Sequence, residues 1–155
     1  STNLSESPLF HLLVSTMALY NHLYDNQETT SSLNKVFTLL LGLITPLIKR
    51  SKGDTDVIYL PLIALFCVYL RENRAKIVFS GIDRPTTLFR TALAQFVNTL
   101  VKPTGRQQEI GLLPEEVELA GFIPLASALA KLDFLQKPLE STAAQERRIH
   151  DIFKL

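Results

Sequence analysis

Residues Leu112–Phe134 read LLPEEVELAGFIPLASALAKLDF, and the punctuation of this stretch decides the fold. Pro114 suits the first position of a helix, where its missing N–H would have had no partner anyway. Glu115 and Glu116 follow in the first turn, where carboxylates favour the positive end of the helix dipole. Both are therefore expected to face solvent or a helix N-terminus, each contributing about 0.3–1 kcal/mol. Gly121 closes this short helix as a left-handed cap, and Phe122 folds back onto it. Pro124 opens a second short segment with Leu125, Leu129 and Leu132 on one side. Val117, Leu119, Phe122 and Leu125 supply apolar contacts, and the stretch ends on Leu132-Asp133-Phe134. The result is a compact clasp between helices, with packing residues and no chemistry in it.

The same grammar runs outward from the clasp. Upstream, Ser7 is the expected N-cap of a first helix with Pro8 at its first position. Its apolar stripe is Leu9, Leu13, Met17, Tyr20 and Tyr24, at helical spacing. Asp25–Ser32 is a polar loop, followed by a second helix over about Leu33–Lys49. Leu33, Val36, Phe37, Leu40, Ile44 and Ile48 mark its inner face, and Pro46 is expected to kink its last turn. Asp54 or Asp56 caps a third helix running to about Leu70. It is apolar on every side, so it should be the central, most buried helix. Gly81–Pro85 breaks the chain, and a fourth helix to about Lys102 turns Leu88, Ala92, Phe96 and Leu100 inward, widened by Phe89, Leu93 and Val97. Lys102–Gly111 is a surface loop. Downstream of the clasp, Ser141 caps a last helix over about Thr142–Leu155 that docks through Ile149, Ile152 and Phe153. No stretch alternates as a strand would, so the fold class is all-α, with antiparallel helical hairpins stacked as a short α-solenoid.

The bulk numbers agree. A chain of 155 residues is one domain in size and needs no metal or disulfide to hold its core. Hydrophobic residues at 46% and charged residues at 20% indicate a globular chain. Cys67 is the single cysteine, so no internal disulfide is open to it; a reducing compartment fits. The apolar runs Val36–Ile48 and Val57–Leu70, 13 and 14 residues long, fall short of the ~20 that a membrane span needs. The N-terminus has no secretory pattern and no initiator Met, as expected of a piece of a longer protein.

Charge is uneven along the chain. Residues 1–48 carry one base against three acids, 49–106 ten bases against four acids, and 107–155 five bases against eight acids. Lys49, Arg50, Lys52, Arg71, Arg74 and Lys76 make up a candidate basic binding surface. The same residues also cluster where two helices end, and there cations simply complement the helix dipole. Catalytic patterns are missing. Cys67, His11, His22 and His150 are scattered rather than spaced as metal ligands. Asp54 and Asp56 read as N-caps, and there is no nucleophile elbow or glycine-rich phosphate loop. Aromatic residues follow inward periodicities rather than interleaving with positive charge, as single-strand binders require. No enzyme activity and no cofactor are expected.

The pattern L-P-E-E-x-x-L-x-G-F-x-P-L from Leu113 to Leu125, followed by L-D-F, resembles the Est/Smg family of telomerase-associated and nonsense-mediated mRNA decay factors. The apolar segment Val57–Leu70 is similar to the family's apolar helix, without its Trp residues. Ala144–Leu155, AQERRIHDIFKL, is most like the Smg seven branch. The resemblance implies a C-terminal helical-hairpin region that continues a tetratricopeptide-like, 14-3-3-like head. It implies a non-enzymatic scaffold in mRNA surveillance that spaces or docks decay machinery. The expected partners are decay proteins: a phosphorylated Upf helicase held by a head outside this chain, and a family paralogue. Little or no direct nucleic-acid contact and no membrane contact are expected, and the implied location is the cytoplasm with shuttling to the nucleus. Two alternatives stand beside this one: a nucleic-acid-binding helical domain of the telomerase-associated type, and a generic α-solenoid interaction module.

Overall fold

A computed structural model of the chain describes residues 7–51, 59–100 and 111–155. Every regular element among them is helical. In chain order these are α1 (Pro8–Asp25), α2 (Thr30–Arg50), α3 (Leu60–Glu72), α4 (Asp83–Val97), α5 (Pro114–Glu118), α6 (Ala126–Leu129) and α7 (Ser141–Phe153). Short 3-10 turns at Arg74–Lys76 and Ile123–Leu125 complete the list. Five main helices and two short clasp helices match the sequence expectation. The expected N-caps Asp54 and Asp56, the basic residue Lys52 and the loop Lys102–Ile110 lie outside the described residues.

α3 is the centre. Leu60 and every residue from Leu62 to Leu70 is buried, as a helix without a polar face requires. The main packing pairs are α1 with α2, α2 with α4, and α3 with α7. Phe66 stacks on Tyr69 and meets the edge of Phe89 from α4, with centroids 6.2 and 5.5 Å apart. By length and composition alone, α2 could cross a membrane. Its Leu33, Phe37, Leu40, Ile44 and Ile48 are instead packed into the shared core. Pro46 lies inside α2, which continues to Arg50. The carbonyl that loses its helical donor there belongs to Gly42, and Gly42 and Pro46 share an exposed face, where water can replace the bond.

Two expected stripes hold along most of their length and miss at their N-terminal ends, where the neighbouring residue turns inward instead. In α1, Phe10, Leu13, Met17 and Tyr20 are buried, while Leu9 and Tyr24 lie at the rim. In α4, Phe89 points inward with Ala92 and Phe96, leaving Leu88 at 44% exposure. Both misreadings arise where two large apolar residues are adjacent, so that periodicity alone leaves the phase open. Helix α7 begins one residue early: Glu140 takes the cap position without a side-chain bond, and Ser141 is its first helical residue. Ser7 does cap α1, its Oγ accepting from the Phe10 N–H at 3.5 Å.

A buried polar strut joins α1, α3 and the clasp. The Tyr69 hydroxyl donates to Asn21 Oδ1 at 2.8 Å, and Asn21 Nδ2 donates to Asn73 Oδ1 at 2.9 Å. Asn73 Nδ2 in turn donates to the Pro124 carbonyl at 2.8 Å. Each of these side chains is thereby relieved of the penalty of an unpaired buried polar group.

Gly121 adopts φ of 82°, the left-handed cap expected of it. A Cβ at this position would meet nothing within 4 Å, so any cost of substitution is backbone strain alone. Gly121→Val is expected to cost about 1–3 kcal/mol and Gly121→Asn under about 1, because Asn tolerates this region. Urea denaturation of the two variants checks the ordering.

Candidate functional site

The clasp residues take three kinds of position. Pro114 starts α5, Pro124 lies in the 3-10 turn, and Leu119, Leu125 and Leu129 are buried in the core. Phe122 and Leu132 are half-buried against the same core. Val117 and Phe134 are exposed, so Val117 does not supply the expected contact. It points away because the inward side of α5 is occupied by its two carboxylates.

Those carboxylates overturn the expectation of a solvated acidic turn. Glu115 and Glu116 are 2% and 6% exposed, and each is held by an arginine of α7. Arg147 grips Glu116 with two parallel bonds, Nη1 to Oε1 at 2.8 Å and Nη2 to Oε2 at 2.7 Å. Arg147 Nη1 also donates to the Gly111 carbonyl. Arg148 grips Glu115 the same way, Nε to Oε2 at 2.8 Å and Nη2 to Oε1 at 2.7 Å. Glu116 Oε1 further accepts from the Leu113 N–H at 2.7 Å, closing the start of α5. Paired forks of this kind combine charge with fixed geometry, so they set the register of α7 on the clasp.

A third carboxylate joins from α7 itself. Asp151 is buried, with Oδ2 3.4 Å from Arg147 Nε but without hydrogen-bond geometry, and Oδ1 4.0 Å from Arg71 Nη2. Burial pushes its carboxyl up to about 6, against the pull of Arg147 and Arg71. Burial acts to lower the Arg147 guanidinium, but the Glu116 bond and the Asp151 charge outweigh it and hold the group above its ordinary range. Burial also drives the nearby Cys67 thiol up to about 12, so it is an inert core residue. A raised acid binds its proton more tightly folded than unfolded. Its stabilising contribution is therefore present below about pH 4 and is lost as pH rises through about 6. Relative to Asp151→Asn, the native protein should lose about 2 kcal/mol between pH 4 and pH 8. Parallel denaturation curves of the two proteins across that range read the difference directly.

The five described residues of the expected basic surface divide between paired and open positions. Arg71 is ion-paired to Glu72 at 3.7 Å and lies beside Asp151. Lys76 pairs with Asp25 at 3.6 Å and lies over the Tyr24 ring. Arg74 Nη2 donates to the Leu155 carbonyl at 3.2 Å. Lys49 and Arg50 are exposed at the end of α2. Helix ends drew these cations together in sequence, but three of them serve internal contacts.

An apolar groove of about 560 Å³ lies between α2, α4 and the end of α7. Leu41, Leu70, Phe89, Leu93 and Ile152 are among its lining, and Arg74 and Arg90 also border it. Phe79 is 45% exposed there, with the Arg90 guanidinium 5.8 Å from its ring centroid. Thr86, also in the lining, is buried and its hydroxyl has no partner. Sequence reasoning missed both features. The adjacent pairs Glu115-Glu116 and Arg147-Arg148 were the available signal for the forks; a groove lined from four helices leaves no local pattern. Among the described residues, no three His, Cys, Asp or Glu side chains are placed to hold a metal ion.

Packed helical hairpins with an ion-locked last helix define an all-α repeat-like domain. The chain belongs to the Est1 DNA/RNA binding domain family, whose model matches residues 1–129. That span takes in α5 and α6 but stops short of α7, so the arginines that hold the clasp glutamates lie beyond it. No curated protein and no solved structure matches the chain.

Proposed function

We propose that this domain is a non-enzymatic scaffold of a nonsense-mediated mRNA decay factor of the Smg seven type, docking decay proteins downstream of a 14-3-3-like head. The observation that carries this reading is the apolar groove, set beside Arg71, Arg74 and Lys76, each of which already has a partner within the fold. A phosphate-tracking surface needs several free cations in a row, whereas a protein-docking surface needs an apolar patch with few charges at its edge. Both expected partners, the phosphorylated Upf helicase and a family paralogue, would belong to the assembled full-length protein in the cytoplasm. The family description favours a second reading, direct binding of single-stranded DNA or RNA, which would use Lys49 and Arg50 at the exposed end of α2.

Two measurements separate them. In cells, replacing this region of the full-length protein should lengthen the half-life of a premature-stop reporter mRNA. In solution, the purified chain should bind single-stranded RNA and DNA weakly. Tight binding that weakens steeply with salt and is lost in Lys49→Glu/Arg50→Glu, with reporter decay unchanged, would replace the scaffold by the nucleic-acid reading.

A further inference from the structure

We propose that the groove between α2, α4 and the end of α7 is a docking site for a short apolar peptide segment flanked by acidic residues. The inference deepens the scaffold reading and rests on it, since it names the chemistry of the partner.

Two observations point to that occupant. First, the volume of about 560 Å³ and the Leu, Ile and Phe lining suit a few apolar side chains rather than a phosphate chain. Second, the charge is one-sided: among the described residues, the lining includes Arg74 and Arg90 and no acidic residue. Arg90 is exposed, and beyond the one bond from Arg74 Nη2 to the Leu155 carbonyl both guanidiniums keep donors to offer a carboxylate. Nucleic acid fits less well. A single strand needs a track of phosphate contacts and aromatic faces for successive bases, and here the exposed ring is Phe79, already covered on one side by Arg90.

The test uses the whole chain and two labelled peptides of about 14 residues, each with Leu, Phe and Leu at helical spacing. One carries Glu flanks, the other Lys flanks, and fluorescence anisotropy reads binding. The Glu-flanked peptide should bind, and the Lys-flanked one should bind at least about tenfold more weakly. Ala94→Glu places a like charge on an exposed groove residue and should abolish binding of the Glu-flanked peptide without unfolding the domain. Arg90→Glu should weaken the Glu-flanked peptide by about fivefold or more and strengthen the Lys-flanked one. Equal affinity for both peptides, or displacement of the Glu-flanked peptide by single-stranded RNA with the same Ala94→Glu sensitivity, would overturn the proposal. Because these readouts need only the purified chain, an unchanged reporter half-life would count against the decay role and leave the groove chemistry separately judged.

Discussion

Glu116→Ala is expected to destabilise the domain by about 3–5 kcal/mol, several times what a carboxylate in an exposed first turn would be worth. The reason is the stranded partner. Arg147 is 7% exposed, and without Glu116 its guanidinium keeps only the Gly111 carbonyl and the poorly aligned Asp151 as acceptors. A buried charge without compensation is far more expensive than the ion pair is favourable. Arg147→Ala should be as damaging, since it strands Glu116 and leaves Asp151 with only Arg71 at 4.0 Å. The double variant should cost less than the two single costs added, with a coupling of about 2–3 kcal/mol. Arg148 and Glu115 form the same fork with Arg148 somewhat more exposed, so the loss of Arg148 should be milder. Equilibrium denaturation of the four proteins decides the matter. A Glu116→Ala cost under about 1 kcal/mol would return the glutamate to the solvated helix-dipole role that the sequence suggested.

The sequence was legible where a residue's reason is local, and illegible where the reason lies across the fold. Pro114, Gly121 and Pro124 could be placed because their backbones admit few alternatives. α3 could be placed at the centre because it has no polar side to offer water. Glu115 and Glu116 had a sufficient local explanation in the helix dipole, while their partners are 33 and 31 positions away. Asn21 and Asn73 bond one another across 52 positions, a pairing with no local signal. The cations of Arg71–Lys76 were grouped by sequence and separated by the fold, each finding its own neighbour. The groove had no signal at all, since its lining comes from several helices and includes residues that each look like ordinary core.

Phe66→Ala should cost about 3–5 kcal/mol, and Leu65→Ala about 2–5, and the two should differ in kind. Phe66 is fully buried between Tyr69 and the edge of Phe89, so its loss leaves a void lined by rings that cannot close it. That penalty should not depend on pH. Leu65 faces the other way, toward the small pocket bordered by Leu113, Glu115, Glu116 and Asp151. Truncating it removes apolar packing and also lets water approach the ionised cluster. Burial is what pushes the Asp151 carboxyl up to about 6, so hydration should move it back toward its ordinary value. The Leu65→Ala cost should therefore be largest at acid pH, where the native domain still holds the favourable proton on Asp151. It should shrink as pH rises through about 6, because the ionised carboxylate then gains from the water let in. Denaturation of both variants at pH 4.5 and pH 8, pH values chosen about that midpoint, distinguishes a dry aromatic core on one side of α3 from an ion cluster shielded by a single leucine on the other. Identical pH profiles for the two variants would mean that Leu65 does not screen Asp151, and that the two sides of α3 are energetically alike.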